Sequence, residues 1–403
     1  MARDLADAKP EEIGLIAAVL DGVDAGLQAE IDKGALAGAV TLVARHGRVA
    51  RRSILGRDNI GRGTTLKRDT IFRIYSMTKP VMAVAMMILH DRGLWKPDDP
   101  IEKFLPSFAH ARVFAGPGET APVEHAPTLR ELLTHTAGLS YGASDAPFDA
   151  PYKAAHLWGS ATLKEFGEKI GRLPLAYQPG TKWLYSLSMD VQGAILEALT
   201  GESLPDFMRR HIFEPLGMVD TAFYAPPDKV ARLATLYRTS KSRGLVELEK
   251  PPMLGDNLSP PTVPSGGGGL VSTLDDYARF AQMLLDKGSF NGVRVLSPEA
   301  VALMSANHLP DWMLEKGFGV GAMQIRPGFG YGYNCAVFTD PVKAGLPVGK
   351  GTFEWDGAAG TWFWVDPAND LIYVGMIQRF AVTEGVANTQ QLTQRLLADA
   401  IAN

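Results

Sequence analysis

The chain reads as an α/β (α+β) protein. Both chain ends build one antiparallel sheet flanked by helices, and a mostly helical domain is inserted between them. Three observations predict this. β-Branched and aromatic runs occur near the start, at 40–44 and 49–54, and again near the end, at 354–356, 361–365 and 371–377. Helical apolar spacing flanks both groups, at 11–33, 77–92 and 384–401. The stretch 95–265 differs, with short helical patterns separated by Pro- and Gly-rich segments. The 403 residues exceed a typical domain of ~100–200 residues. The expected layout is therefore one domain from 1–94 and 266–403, an insert at 95–265, and a functional cleft where they meet.

The elements follow in order. Ile16, Leu20, Val23, Leu27 and Ile31 recur near helical spacing, and Gly34 and Gly38 end that helix. The runs 40–44 and 49–54 are joined at His46-Gly47, a hairpin signal. Residues 70–75 read as a short strand or extended entry to the helix at 77–92. Pro80 falls in the first turn of that helix, where its missing N–H costs nothing, and Gly93 stops it. Within the insert, 128–133, 189–199 and 204–212 are helix candidates. The irregular stretches 105–127, 141–158 and 224–265 are long enough to be walls or lids. Helices are expected again at 275–285 and 298–304, and the last two strands turn at Asp366-Pro367.

Composition excludes several classes. Apolar residues make up 46% and charged residues 21%, which supports a large core and argues against disorder. The net charge is −4 with no long basic run, so neither nucleic acid nor an anionic membrane is an expected partner. Arg51-Arg52 reads as a solvated strand edge. Residues 1–4 lead into a helical pattern rather than a signal peptide, and no segment approaches ~18 consecutive apolar residues. With the single cysteine, Cys335, read as buried and inert, a cytoplasmic protein is expected. No metal-ligand spacing appears and no cofactor is expected; the glycines at 266–269 lack the Lys-Ser/Thr of a phosphate loop and read as a flexible strand entry. Oligomeric state is not encoded in these features.

Chemistry gathers in three places. Ser76-Met77-Thr78-Lys79 puts a serine at a helix start and a lysine one turn on, on the same face. The helix start offers free N–H groups to an oxyanion, and a lysine in a dry cleft loses charge and can take the serine proton. Tyr185-Ser186-Leu187 places a phenol before a second helix, where it can exchange protons beside a lysine. Trp355-Asp356-Gly357-Ala358 lies on an expected strand whose edge can present the Ala358 N–H as a second oxyanion donor. Gly357 would then let a substrate approach closely. Each alone has a plainer reading: a helix cap, a packed ring, a strand with a bulge.

A competing motif is Gly138-Leu139-Ser140-Tyr141-Gly142, which matches the Gly-x-Ser-x-Gly elbow. That elbow needs a strand before the serine and a helix after it, and here a helix precedes and a loop follows. His156, His211 and His308 complete a triad only on paper. Tyr141 is expected to line the cleft, and His135 reads as a hydrogen-bonded structural histidine.

The three elements in this order resemble the serine β-lactamase and penicillin-binding superfamily, and more closely its class C branch and the family VIII carboxylesterases. Residues 128–139, 214–218, 267–270, Ser272-Thr273, Asp276 and 93–100 are similar to family segments too. The resemblance implies a β-lactamase/transpeptidase-like fold and an acyl-enzyme on Ser76. Lys79 and Tyr185 would be its coupled acid and base, and the N–H groups of Ser76 and Ala358 its oxyanion hole. Trp355, Asp356, Gly357 and Tyr141 would meet the substrate. Two departures matter. Leu187 stands where the lactamase branch has Asn, and Trp355-Asp356-Gly357 where it has Lys-Thr-Gly. Losing that lysine removes a cation for a β-lactam carboxylate. The expectation is a serine carboxylesterase acting on small, short-acyl esters, with acyl transfer and weak β-lactam hydrolysis at most. The rivals are a β-lactamase, a D-aminopeptidase, a dedicated acyltransferase and a catalytically silent penicillin-binding-like module.

Overall fold

The computed structural model describes residues 4–240, 244–316, 318–320, 323–325, 327–380 and 388–401. At its centre is a nine-stranded sheet. Its strands are β1 (Ala6–Asp7), β2 (Gly38–Arg45), β3 (Arg48–Asn59), β4 (Thr64–Thr65), β5 (Phe329–Tyr331), β6 (Ala336–Phe338), β7 (Phe353–Asp356), β8 (Trp362–Asp366) and β9 (Leu371–Met376). The spatial order is β1-β3-β2-β9-β8-β7-β6-β5, with β4 on β3. The two chain ends join at β2 and β9, which run antiparallel from Val40 opposite Met376 to Arg45 opposite Leu371. Both strands are buried almost throughout, which explains their near-continuous apolar sequence. The hairpin β2–β3 turns at His46 (φ 52) and Gly47 (φ 69), the two left-handed positions that match strand twist. The sheet is not purely antiparallel: β1 pairs in parallel with β3, Ala6 opposite Arg48. That strand has two residues and little apolar content, so it leaves no periodic signal. β5 and β6, of three residues each, lie in the Gly/Tyr-rich stretch around Cys335 and are too short to show a period.

The helices that frame the sheet are α1 (Ala17–Asp32), α2 (Thr78–Asp91), α3 (Leu129–Leu133), α4 (Leu163–Ile170), α5 (Ser188–Thr200), α6 (Leu274–Leu285) and α7 (Thr389–Leu396). Leu20, Val23 and Leu27 of α1 pack with Val43, Trp364 and Tyr373 on one sheet face. On the other face Val40, Leu42, Phe363 and Val374 join α2, α3, α5 and α6 in one continuous apolar cluster. α2 is buried from Thr78 to Leu89, as a central helix must be when apolar on all sides. Gly93 (φ 71) ends its run.

Several expectations shift. The helix expected over 11–33 is a 3-10 turn at Pro10–Ile13 followed by α1, broken at Gly14 (φ 68), and Ile16 at the break is 39% exposed. The closing helix is shorter than 384–401: α7 begins after an Asn388 cap and ends at Leu396, and 381–387 lie outside the described residues. The helix expected over 204–212 is Leu204–Met208 continuing into a π turn at Arg209–Phe213. The stretches expected to be irregular hold hairpins, Arg112–Gly116 with Glu119–Pro122 and Tyr237–Ser240 with Gly244–Glu247. Tyr237–Ser240 also pairs in parallel with Arg379–Phe380, which ties the middle of the chain to its end. Among the described residues no helix is long and apolar enough to cross a membrane.

Candidate active site

The 3-10 turn Tyr75–Met77 leads directly into α2, so Ser76 sits just ahead of the helix rather than in its first turn. Tyr75 adopts a left-handed φ of 43, a conformation that costs a non-glycine residue about 1–3 kcal/mol. Burial of its ring against Leu236 and Ala359 holds it there. One turn on, Lys79 is fully buried. Its Nζ donates to the Ser76 Oγ at 3.1 Å and to the Gly267 carbonyl at 2.6 Å.

Tyr185 comes from the segment before α5. The Leu184 N–H donates to the His135 carbonyl at 2.9 Å, and Ser186 Oγ lies 3.1 Å from His135 Nδ1. His135 thus anchors the segment, as a structural histidine at φ 59. The Tyr185 ring is boxed by His135 (4.8 Å between centroids), Tyr141 (5.2 Å), Trp355 (5.8 Å) and Trp183 (5.9 Å). So held, its hydroxyl donates to the Ser76 Oγ at 2.9 Å, and its ring centroid lies 4.5 Å from Lys79 Nζ. The structure brings together the three residues that the sequence singles out.

Burial shapes the charge states. It drives the Lys79 ammonium down to about 7, against the opposing charges of Asp190 and Asp356. It drives Tyr185 well above the usual phenol range, opposed by the Ser76 hydrogen bond and reinforced by Asp356. Asp356 rises to about 6 through burial, with Lys79 pulling the other way. Lys79 is therefore the group on the Ser76 oxygen that changes charge near neutral pH, and Tyr185 keeps its proton.

β7 ends beside this cluster. Gly357 donates to the Thr361 carbonyl at 2.7 Å and accepts from Gly360 at 2.8 Å, closing a tight turn into β8. The glycine is required there because a Cβ would lie 2.3 Å from the Ile74 carbonyl and 2.4 Å from Thr361 Oγ1. The close approach seen is to the turn before Ser76. Among the described residues the Ala358 N–H has no backbone acceptor. Ser76 lies in the first turn of its 3-10 segment, where N–H groups lack intrahelical acceptors. Ser76 and Ala358 both face a cavity of about 560 Å³. Of the four residues expected against the substrate, Tyr141 lines it, together with Phe148, Trp158, Leu184, Met253 and Leu254. Trp355 is 6% exposed and packs behind Tyr185 and against Tyr331. Asp356 acts on the cluster through its charge.

Ser140 also reaches this cavity, but its Oγ donates to the buried Asp149 carboxylate, which accepts from the Ser144 N–H at 2.7 Å as well. Two of the histidines that might have served it are engaged elsewhere: His308 Nε2 lies against the Leu303 carbonyl at 2.7 Å and His211 against Arg92 at 3.3 Å. Cys335 is buried and its thiol is pushed up to about 12 by that burial. Sequence reasoning misses two contributors. The 266–269 glycines are not a flexible entry but a tight turn, in which a Cβ on Gly266 would lie 2.5 Å from the Met189 carbonyl. Asp190, buried in the first turn of α5, grips that turn. The glycine run in the sequence is the available signal, since such runs mark close backbone approach.

The Beta-lactamase family model matches residues 21–396. Protein Rv1367c of Mycobacterium tuberculosis is 39% identical over 374 residues, covering 89% of this chain and 90% of that protein. Esterase EstB of Burkholderia gladioli is 32% identical over 385 residues, covering 91% and 92%. The solved structure of EstCE1, titled a hydrolase with promiscuous acyltransferase activity, superposes with a TM-score of 0.81 at 28% identity, covering 95% and 99%.

Proposed function

The chain belongs to the Beta-lactamase family, and on that premise we propose that it is a family VIII-type serine carboxylesterase acting on small, neutral, short-acyl esters. The observation that carries this is the double hydrogen bond at one oxygen: Ser76 Oγ receives Lys79 Nζ at 3.1 Å and the Tyr185 hydroxyl at 2.9 Å, at the edge of an apolar cavity. In the reaction, neutral Lys79 takes the Ser76 proton as Oγ attacks the ester carbonyl. The N–H groups of Ser76 and Ala358 receive the oxyanion. Tyr185, which keeps its proton, passes it to the departing alkoxide and is recharged from Lys79. Water then attacks the acyl-enzyme by the reverse route, and a second alcohol in its place gives acyl transfer. EstB is named an esterase and EstCE1 a hydrolase, which favours this reading over a silent binding module.

The charge pattern favours neutral substrates. Trp355 brings no cation to the β7 edge, and Asp190 and Asp356 set two carboxyl groups around Lys79. A β-lactam carboxylate would enter a site with acids nearby and would meet Trp355, not a lysine, on the β7 edge. The same reading has the cleft at the seam between 1–94 with 266–403 and the insert 95–265, and the protein in the cytoplasm, without nucleic-acid or membrane partners. The test is a panel of p-nitrophenyl esters, penicillins, a cephalosporin and a D-alanyl amide, with intact-mass detection of the acyl-enzyme. Ester turnover should exceed every β-lactam and amide. A penicillin with higher kcat/KM than p-nitrophenyl butyrate sinks the esterase reading, and a stoichiometric Ser76 adduct without turnover replaces it with the silent module.

A further inference from the structure

We propose that Asp190 is a positioning residue that clamps the 265–268 turn through Ser265 and Gly267, holding the Gly267 carbonyl on Lys79 Nζ and setting the charge state of that lysine. The proposal rests on the reading above, in which Lys79 exchanges the Ser76 proton.

The contacts form a short chain. Asp190 is fully buried in the first turn of α5. Its Oδ1 accepts from Ser265 Oγ at 2.6 Å and from the Gly267 N–H at 3.1 Å. The carbonyl of the same Gly267 accepts from Lys79 Nζ at 2.6 Å. Gly267 is thus gripped at its N–H by the acid and at its carbonyl by the lysine. A side chain at 267 would crowd the grip, since a Cβ would lie 3.0 Å from Asp190 Oδ2, which would have to shift to admit it. Among the described residues Oδ2 itself has no hydrogen-bond partner, and a buried carboxylate oxygen left unpaired is costly unless a cation lies close. Lys79 supplies that charge across the Gly267 bridge rather than by direct contact. Burial pushes both groups toward neutrality, and the charge of each opposes that push in the other. The groups facing Lys79 are Ser76, Tyr185, Tyr141, Asp190, Asp356 and His135. Those facing Asp190 are Lys79, Ser265 and Tyr141. A merely structural acid would cap the turn without touching the chemistry.

The variants Asp190→Asn, Asp190→Ala and Ser265→Ala separate charge from grip. Asp190→Asn keeps an acceptor for Ser265 and Gly267 but removes the charge that holds Lys79 protonated. Its acid limb in kcat/KM for p-nitrophenyl butyrate should move down by about one pH unit, the scale of a nearby buried charge. Asp190→Ala loses the grip as well, and kcat should fall by about 10²-fold with KM little changed. Ser265→Ala keeps the charge, and kcat should fall by about tenfold with the limb in place. A folded Asp190→Asn with an unmoved limb overturns the proposal. If Asp190→Asn does not fold, wild-type kcat in Ser265→Ala overturns it instead. Phosphonate labelling of the wild type keeps the two readings apart: absence of a Ser76 adduct defeats the proposed function, whereas a Ser76 adduct with an unmoved limb defeats only the role of Asp190.

Discussion

The Tyr185 hydroxyl donates to the Ser76 Oγ at 2.9 Å across 109 residues of chain. Nothing local sets that distance. It follows from α2 being buried on all sides and from His135 tying the Leu184 N–H and the Ser186 hydroxyl to the segment after α3. Lys79 reaches the same oxygen, so the three groups should behave as one unit. Lys79→Ala and Tyr185→Phe should each lower kcat by at least ~10²-fold, the scale of lost general acid–base catalysis. The double variant should be little worse than either single one. Near-wild-type turnover in Tyr185→Phe removes the phenol from the mechanism.

The charge state of Lys79 predicts the pH profile. Burial lowers its ammonium to about 7, and on the proposed mechanism the neutral amine is the form that accepts the Ser76 proton. Activity should therefore rise through about pH 7 and then level off, because Tyr185 holds its proton well above that range. The measurement is kcat/KM for a neutral ester as a function of pH in a constant-ionic-strength buffer series. Activity that falls through the same region would mean that the protonated lysine is the working form.

A second buried acid affects stability rather than turnover. Glu354 on β7 accepts from Gln394 of α7 at 2.5 Å, and burial raises its carboxyl from 4.5 to about 8. The folded protein therefore keeps a proton that the unfolded chain releases. Its contribution is complete below the unfolded value and is lost as pH rises from about 4.5 through about 8. Glu354→Gln keeps an acceptor for Gln394 and removes the ionisation. Its Tm should match wild type in acid and exceed it increasingly toward pH 8, as followed by circular dichroism melts. A Tm difference that is constant with pH would mean that Glu354 is not the linked group.

These relationships are legible in the sequence to different depths. The Ser76–Lys79 pair can be read because helical spacing alone puts them on one face. The pairing of β2 with β9 is foreshadowed by apolar runs at both chain ends, and the hairpin by His46-Gly47. Tyr185 has no local signature beyond a helix start, and only the resemblance singles it out. Asp190 and Gly267 cannot be read as a pair, since the acid looks like an ordinary first-turn carboxylate until the 265–268 turn folds against it. The two-residue strand β1 and the break at Gly14 are invisible for another reason: elements that short carry no periodicity. Trp355 looks like a substrate contact from its motif position, whereas its burial behind Tyr185 depends on how β7 packs under the 183–185 segment.

The competing serines give the last prediction. Ser76 has a lysine and a phenol on its oxygen, whereas among the described residues Ser140 is held by the Asp149 carboxylate and the Gly142 N–H. Ser76→Ala should abolish ester hydrolysis and labelling by a phosphonate or sulfonyl fluoride. Ser140→Ala should keep the chemistry, because no reacting group depends on its oxygen. It should nevertheless destabilise the fold, since Asp149 is 2% exposed and would lose a partner, a loss of about 1–3 kcal/mol for a buried acceptor. The 140–149 loop carries Tyr141 into the cavity, so a rise in KM should accompany the lower Tm, with kcat little changed. Peptide-level mapping of the labelled residue, run beside thermal melts, reads both effects. A label on Ser140, or full turnover in Ser76→Ala, would overturn the assignment of the nucleophile.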